Sequence, residues 1–133
     1  MEDRIKHLEM IQAVIGRLSQ HSFLIKGWSV TLVAAIIALS ADGSDERFVW
    51  MAYFASFAFW CLDGHFLRTE KLFRALYDDV RQPGTEVPPF SMDTSRYKAT
   101  CPNTLKVCFS WTLFLFHATV FASVILMMIV IVF

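Results

Sequence analysis

The feature that most constrains the fold is a pair of long apolar runs joined by a short charged turn. The first run covers residues 22–41, the second covers residues 48–66, and residues 42–47 separate them. Each run is about long enough to cross ~30 Å of hydrocarbon as an α-helix that rises ~1.5 Å per residue. Because the turn is short, the two helices run antiparallel. The sequence therefore predicts a helical hairpin that crosses a membrane.

A third apolar run follows later in the chain, over residues 106–133; after its first residue, Lys106, it carries no charge unless His117 is protonated. The whole chain is 56% hydrophobic, with 13 Phe and 4 Trp, and these residues are gathered into the long runs. This composition is typical of a membrane protein and not of a soluble core. We therefore expect one all-α membrane domain in which a transmembrane hairpin is followed by a third, C-terminal transmembrane helix.

The segments next to the hairpin predict cytoplasmic helices that continue it. Residues 3–21 form an amphipathic helix, because apolar side chains recur every three or four positions. These side chains are Ile5, Leu8, Ile11, Ile15 and Leu18. Residues 67–81 carry a second apolar stripe, so the two segments pair as an antiparallel extension of the hairpin. Residues 82–105 contain all four prolines and predict a connector with little regular structure.

The distribution of basic residues gives the orientation. Of 12 Lys and Arg residues, only Arg47 lies in the hairpin turn. The others are at or before Lys26, or between Arg68 and Lys106. Because basic residues stay on the cytoplasmic side, we expect three spans, with the N-terminus cytoplasmic and the C-terminus on the external side of the membrane.

Two charged residues lie well inside the hairpin runs, and the register of the hairpin pairs them. Lys26 and Asp63 are equally far from the middle of the turn, between Ser44 and Asp45. Intramembrane charges usually face a partner or a water-filled cavity, so we expect a Lys26–Asp63 contact. The alternative is that both side chains reach separately to the membrane surface.

Polar side chains within the apolar runs are candidates to line a water-filled path. The four candidates are Ser29, Ser40, Ser56 and His117. His117 is the strongest, since an ionisable group near the middle of a span indicates function. Alternatively, the serines bond to their own backbone or pack between helices, and a neutral His117 bonds to a neighbouring helix.

The cytoplasmic segments also carry a loose basic cluster. Its members are candidates to bind a phosphate-bearing ligand, with Tyr77 available to stack on a base. The candidates are Arg17, Arg68, Lys71, Arg74, Tyr77 and Arg81. The alternative is that these charges set the topology and attract anionic lipid in the bilayer.

No pattern of residues indicates catalysis. There is no Gly-rich phosphate loop, no metal-ligand spacing and no nucleophile beside a plausible base. The three cysteines, Cys61, Cys101 and Cys108, form neither a metal motif nor a disulfide framework. We therefore expect a protein that is not an enzyme and that needs no metal or cofactor.

Two stretches of the chain resemble a known family. Residues 4–12 with 23–32 form one stretch, and residues 59–67 with 70–77 form the other. The most specific segments are Lys26-Gly27-Trp28-Ser29 and Leu62-Asp63-Gly64. Together these stretches resemble SLATT-like small transmembrane effectors of bacterial anti-phage defence, which sit beside nucleotidyltransferases. The chain is also similar to the channel component of Hailong-type systems. The third run departs from a plain two-helix pattern.

The resemblance implies a self-assembling pore or ion channel, a homo-oligomer of four or more copies. A nucleotide or short oligonucleotide made by a partner nucleotidyltransferase would gate it from the cytoplasmic side, and the open pore would depolarise the membrane of an infected cell. The alternative is a non-conducting membrane anchor or scaffold for a cytoplasmic defence enzyme.

Overall fold

The structure is a computed structural model that describes residues 1–43 and 45–133. Two long helices form its hairpin, α1 (Glu2–Gly43) and α2 (Glu46–Val80), and they pack against each other along their length. A 3₁₀ turn (Ser95–Tyr97), a short helix α3 (Thr104–Cys108) and helix α4 (Trp111–Val132) follow. Helices make up 81% of the chain, and the described residues contain no strand, so the prediction of an all-α fold is confirmed.

The hairpin turn is shorter than the predicted residues 42–47, one of which, Ser44, lies outside the described residues. Helix α1 continues to Gly43 and α2 begins at Glu46. Asp45 caps α2, because its side chain accepts a hydrogen bond from the backbone N–H of Arg47 at 3.0 Å. The charged residues that suggested a turn are therefore largely helix-terminal residues.

Neither long helix is interrupted at the predicted membrane edge. The segments 3–21 and 22–41 belong to the single helix α1, and the segments 48–66 and 67–80 to the single helix α2. We call the paired residues 3–21 and 67–80 the stalk. Its core is formed by Ile11 and Ile15 from α1 and by Leu76 and Val80 from α2, all at most 4% exposed. The two segments therefore pair as a continuation of the hairpin.

Ile5 departs from the predicted stalk seam, because its side chain is 52% exposed. His7 is buried near this end of the stalk instead, and its Nε2 lies 2.7 Å from the carbonyl oxygen of Ser91 in the connector. The connector folds back on the stalk, where Val87, Met92 and Tyr97 pack against the stalk core. Connector residues therefore cover part of the apolar stripe that was predicted to pair the two stalk helices.

The third apolar run is broken, although we expected one helix over residues 106–133. Helix α3 ends at Cys108, and α4 begins at Trp111 with Ser110 as its N-cap residue. Helix α4 then packs mainly against α2. The membrane-side core combines all three long helices, with Val33 and Ile36 from α1, Val49 and Ala52 from α2, and Val120 and Val124 from α4.

Two of the helices, α1 and α4, contain a stretch that is long and apolar enough to cross a membrane. Only 22% and 11% of the residues in these stretches are buried, whereas the core helix of a soluble protein would be mostly buried. Helix α2 does not meet the same criterion, because its apolar stretch is bounded by Arg47 and Asp63 and includes Trp and Tyr. Three spans therefore remain a prediction.

Candidate functional site

The hairpin brings Lys26 of α1 against Asp63 of α2. The Lys26 ammonium nitrogen lies 2.6 Å from Oδ2 of Asp63. The Asp63 side chain is fully buried, while the Lys26 side chain retains 26% exposure. The two residues are equally far from the hairpin turn, which is why antiparallel pairing sets them side by side. The separate positions at the membrane surface that we considered do not occur in this structure.

Asp63 of α2 receives hydrogen bonds from side chains of two other helices, α1 and α4. Ser22, one turn before Lys26 on α1, donates its hydroxyl to Oδ1 of Asp63. His117 of α4 lies with Nε2 at 2.8 Å from Oδ2 of Asp63. The Lys26 ammonium also contacts the Ser22 hydroxyl at 2.9 Å. We call these four residues the Asp63 network. It joins α4 to the hairpin through one carboxylate.

Aromatic rings enclose this network. The Trp60 ring stacks on the His117 ring, with 5.9 Å between centroids and 6° between planes. The Phe116 ring lies 5.9 Å from the Lys26 ammonium, a cation–π distance. The stacked and facing rings leave His117 only 1% exposed. The charges therefore interact in an apolar setting where their attraction is stronger than in water.

The same aromatic residue holds the break between α3 and α4. The indole N–H of Trp60 donates to the carbonyl oxygen of Cys108 at 2.8 Å. This carbonyl lies at the end of α3, where helix carbonyls lack a partner within the helix. The Cys108 side chain packs against Gly64, where the methyl group of an alanine would overlap its sulfur. Trp60 and Gly64 thus position the start of α4 and, through it, His117.

The tautomer of His117 follows from its surroundings. Its Nε2 faces a carboxylate and must carry the proton that it donates. Its Nδ1 is buried and has no hydrogen-bond partner among the described residues. A neutral imidazole leaves one lone pair unsatisfied there, whereas a charged imidazole would bury an unpaired N–H. With the neutral form, the charges of Lys26 and Asp63 balance.

The four predicted pore-lining residues are all buried within the chain. Ser29, Ser40 and Ser56 are at most 3% exposed, and His117 is bonded to Asp63. The Ser40 hydroxyl donates to the Ile37 carbonyl at 2.8 Å, as serines in membrane helices commonly do. None of the four side chains therefore lies on the surface of the chain. Their role in lining a path stays a prediction.

Two of the predicted ligand-binding residues already pair within α2. The Arg74 guanidinium lies 2.7 Å from Glu70, whose side chain is 9% exposed. Arg81 lies 3.2 Å from Asp78, and both of these side chains are more than half exposed. An anionic ligand would have to compete with these carboxylates, so Arg74 and Arg81 are weaker candidates than the sequence suggested.

The other candidates differ in how free they are. Arg68 donates Nε to the Pro102 carbonyl at 3.2 Å. Tyr77 packs against the stalk core, which leaves only part of its ring accessible to a base. Arg17 is exposed and Lys71 half-exposed, and neither forms an ion pair within the described part of the chain. Arg17 and Lys71 therefore have the freest charges of the predicted set.

The connector is held to the stalk by a second polar cluster. The Tyr97 hydroxyl donates to Asp79 at 2.7 Å, and Arg96 lies 3.5 Å from the same carboxylate oxygen. Burial and the Asp79 carboxylate raise the pKa of Tyr97 to about 12. The hydrogen bond from Tyr97 is the main cause that lowers the pKa of Asp79. Thr85 also donates to Asp79, so one carboxylate fastens both ends of the connector.

Among residues 1–43 and 45–133, no group of three or more His, Cys, Asp or Glu side chains is arranged to hold a metal ion. No family model, curated protein or solved structure matches the chain significantly. The fold and the site define an all-helical protein with two helices apolar enough for a membrane and a buried charge network between its three long helices.

Proposed function

We propose that this protein is the subunit of a homo-oligomeric ion channel in a bacterial inner membrane, and that it depolarises the cell as an effector of anti-phage defence. A nucleotide or short oligonucleotide from a partner nucleotidyltransferase gates the channel from the cytoplasmic side. The defence role and the ligand rest on the resemblance of residues 4–81 to SLATT-like effectors. The channel activity has support from the site itself.

The observation that carries the proposal is the Asp63 network. Ionisable groups are expensive within a membrane and usually mark a functional site there. Here Lys26, Asp63 and His117 join all three long helices at one buried point. A change in this contact alters how α4 packs on the hairpin, and a change in helix packing is a common way to open or close a path between subunits.

The protomer spans the bilayer three times in this proposal, with the N-terminus in the cytoplasm. Helix α2 packs along α1 and so crosses with it. Cys101, half-exposed in the connector, then lies on the cytoplasmic side. A membrane-impermeant maleimide should label Cys101 in inverted vesicles but not in intact spheroplasts, and a Cys101→Ser variant is the control. Labelling in intact spheroplasts would contradict this topology.

The ligand contacts the stalk in this proposal, where Arg17 and Lys71 have the freest charges. The register that pairs Lys26 with Asp63 places Arg17 of α1 level with Lys71 of α2 to within about one residue. Repetition around an oligomer axis would bring several such pairs together. The guanidinium group of Arg and the ammonium group of Lys both bind phosphate well. These two residues are therefore the first to vary.

Ion flux through purified protein in liposomes tests the proposal, with the mass of the detergent-extracted oligomer measured on the same sample. Nucleotides and short oligonucleotides are added on the stalk side. Flux that changes with the ligand supports the channel. Variants Arg17→Gln and Lys71→Gln should lose the response to the ligand while keeping the pore, whereas Arg81→Gln, which removes an already paired charge, should keep both.

One observation favours the second candidate, a non-conducting membrane scaffold for a cytoplasmic defence enzyme. All four predicted pore-lining side chains are buried within the protomer. A scaffold needs no polar lining and would use the stalk surface as its docking site. A well-folded oligomer that conducts no ions, with or without the ligands tried, would favour this candidate over the channel.

A further inference from the structure

A small polar cavity lies where the connector meets α3. Its volume is about 390 Å³, and its lining carries the side chains of Lys98 and Lys106. The remaining lining residues are Ala99, Thr100, Cys101, Pro102 and Asn103. Neither lysine forms an ion pair among the described residues. Two lysines without an ion pair therefore line one cavity.

Other groups at this cavity are also donors. Arg68 of α2 donates Nε to the carbonyl of Pro102, so its positive charge lies beside the cavity. The side-chain oxygen of Asn103 accepts a hydrogen bond from the backbone N–H of Lys106, which leaves its NH₂ group free to donate. The nearby Asp93, whose pKa is lowered by a hydrogen bond from the Ser95 backbone and also by the charge of Lys98, does not line the cavity, and the sequence contains no acidic residue after it. The cavity is thus suited to an anion.

An exposed apolar surface borders this basic cavity. Leu105 and Phe109 lie one helical turn apart, and both are exposed, at 70% and 64%. Trp111, at the start of α4, is 75% exposed. Aromatic residues of this kind are enriched where a membrane helix meets the headgroups. The basic cavity can bind a lipid headgroup, and the apolar surface beside it can contact an acyl chain.

We propose that this cavity binds the phosphate of an anionic phospholipid, with Lys98 and Lys106 on the phosphate and the acyl chains along Leu105, Phe109 and Trp111. The ligand chemistry is a phosphate ester, and the bordering apolar surface selects the lipid over a soluble phosphate. The absence of an aromatic ring from the cavity lining argues against a nucleotide there. Basic pockets beside the cytoplasmic ends of membrane helices bind such headgroups.

This inference requires that the protein inserts into a membrane, but it does not require channel activity or a nucleotide ligand. It also gives the connector a role of its own. A lipid held by Lys98 and Lys106 would fix the start of α4 at the membrane surface. The orientation of α4, and so of His117, would then depend on the lipid composition of the inner leaflet.

The test is lipid binding by the full chain in detergent micelles, measured by native mass spectrometry as phosphatidylglycerol is titrated against phosphatidylcholine. Each basic residue near an anionic headgroup contributes roughly fivefold to affinity, so Lys98→Gln with Lys106→Gln should weaken phosphatidylglycerol binding about 25-fold. The matched control is Lys6→Gln, which removes an exposed charge paired with Glu2 at the far end of the stalk.

Three outcomes decide the proposal. Loss of phosphatidylglycerol in the double variant, with phosphatidylcholine binding and helix content unchanged, supports it. Equal binding by the double variant and the Lys6→Gln control overturns it. Complete displacement of the lipid by water-soluble glycerophosphoglycerol would show that the site takes a free phosphate ester, and would overturn the assignment to lipid. A Leu105→Ser variant, which leaves the lysines in place, should weaken lipid binding but not binding of the soluble ester.

Discussion

Replacement of Asp63 by leucine should destabilise the protein more than any other single change in the Asp63 network. The Asp63 carboxylate accepts hydrogen bonds from Ser22, Lys26 and His117 and is fully buried. Removal of one member of a buried charge pair typically costs about 3–5 kcal/mol, because the other charge is left without compensation. Asp63→Leu also leaves the His117 donor without an acceptor, so we expect about 4–5 kcal/mol, at the upper end of that range.

Replacement of Lys26 by methionine should cost less. The Lys26 side chain is 26% exposed, and Asp63 keeps its bonds from Ser22 and His117. Loss of one hydrogen bond to a charged group gives about 1.5–3 kcal/mol. In the double variant with Asp63→Leu no charge remains, and both the Ser22 hydroxyl and the His117 donor lose their partners. The Ser22 hydroxyl can turn to a carbonyl of its own helix, so the main cost is the unsatisfied His117 donor, about 1–3 kcal/mol. The double variant should therefore be more stable than Asp63→Leu alone.

The assay is the free energy of unfolding in mixed micelles, measured by helix content as denaturing detergent is added. The expected coupling between Lys26 and Asp63 is at least about 2 kcal/mol, and the triple variant with His117→Phe should recover further stability. Ser56→Ala is the control, because the buried Ser56 hydroxyl has no hydrogen-bond partner among the described residues and its loss should change little. A double variant whose defect equals the sum of the two single defects would refute this account of the network.

Two more changes test contacts outside the network. Gly64→Ala should destabilise the protein by about 1–3 kcal/mol, because its methyl group overlaps the Cys108 sulfur. Adding Cys108→Ala should recover most of that loss in the same unfolding assay. Gly27→Ala, which places a methyl group in open space, is the control and should be neutral or stabilising. The raised pKa of Tyr97 means that its contribution to connector docking is complete below pH 10 and is lost as pH rises through about 12. An absorbance titration of tyrosine ionisation should show one step near pH 12. Tyr97→Phe should remove this step, and Asp79→Asn should shift it to lower pH. If no step occurs near pH 12, the Tyr97–Asp79 hydrogen bond is absent.

The hairpin and its charge pair follow from the sequence because a short turn fixes the register of two antiparallel helices. Once residues 42–47 are identified as the turn, the residue opposite Lys26 is determined. The partner of His117 is not determined in this way. The connector between α2 and α4 is long, so its length does not set which turn of α4 faces Asp63. The sequence identified His117 as ionisable, but not as part of the same contact.

The burial of the serines could not be predicted from the sequence because the runs that contain them are apolar on all faces. In a helix with one polar face, a polar side chain indicates the solvent-facing side. Here Ser29 and Ser56 are buried instead. The break at Ser110 also lacks a strong sequence signal, because neither glycine nor proline occurs there. The carbonyl oxygen of Cys108 at this break accepts a hydrogen bond from Trp60, a residue distant in the sequence.

The continuity of α1 has a mechanical consequence. A helix of 42 residues is about 63 Å long, and Lys26 divides it into arms of roughly 36 Å toward Glu2 and 26 Å toward Gly43. If α4 clamps the hairpin at Asp63, that contact acts as a fulcrum. A tilt of about 5° then moves the stalk end by about 3 Å and the opposite end by about 2 Å the other way. A force applied to the stalk end of α1 is thus delivered to its opposite end without any change in secondary structure.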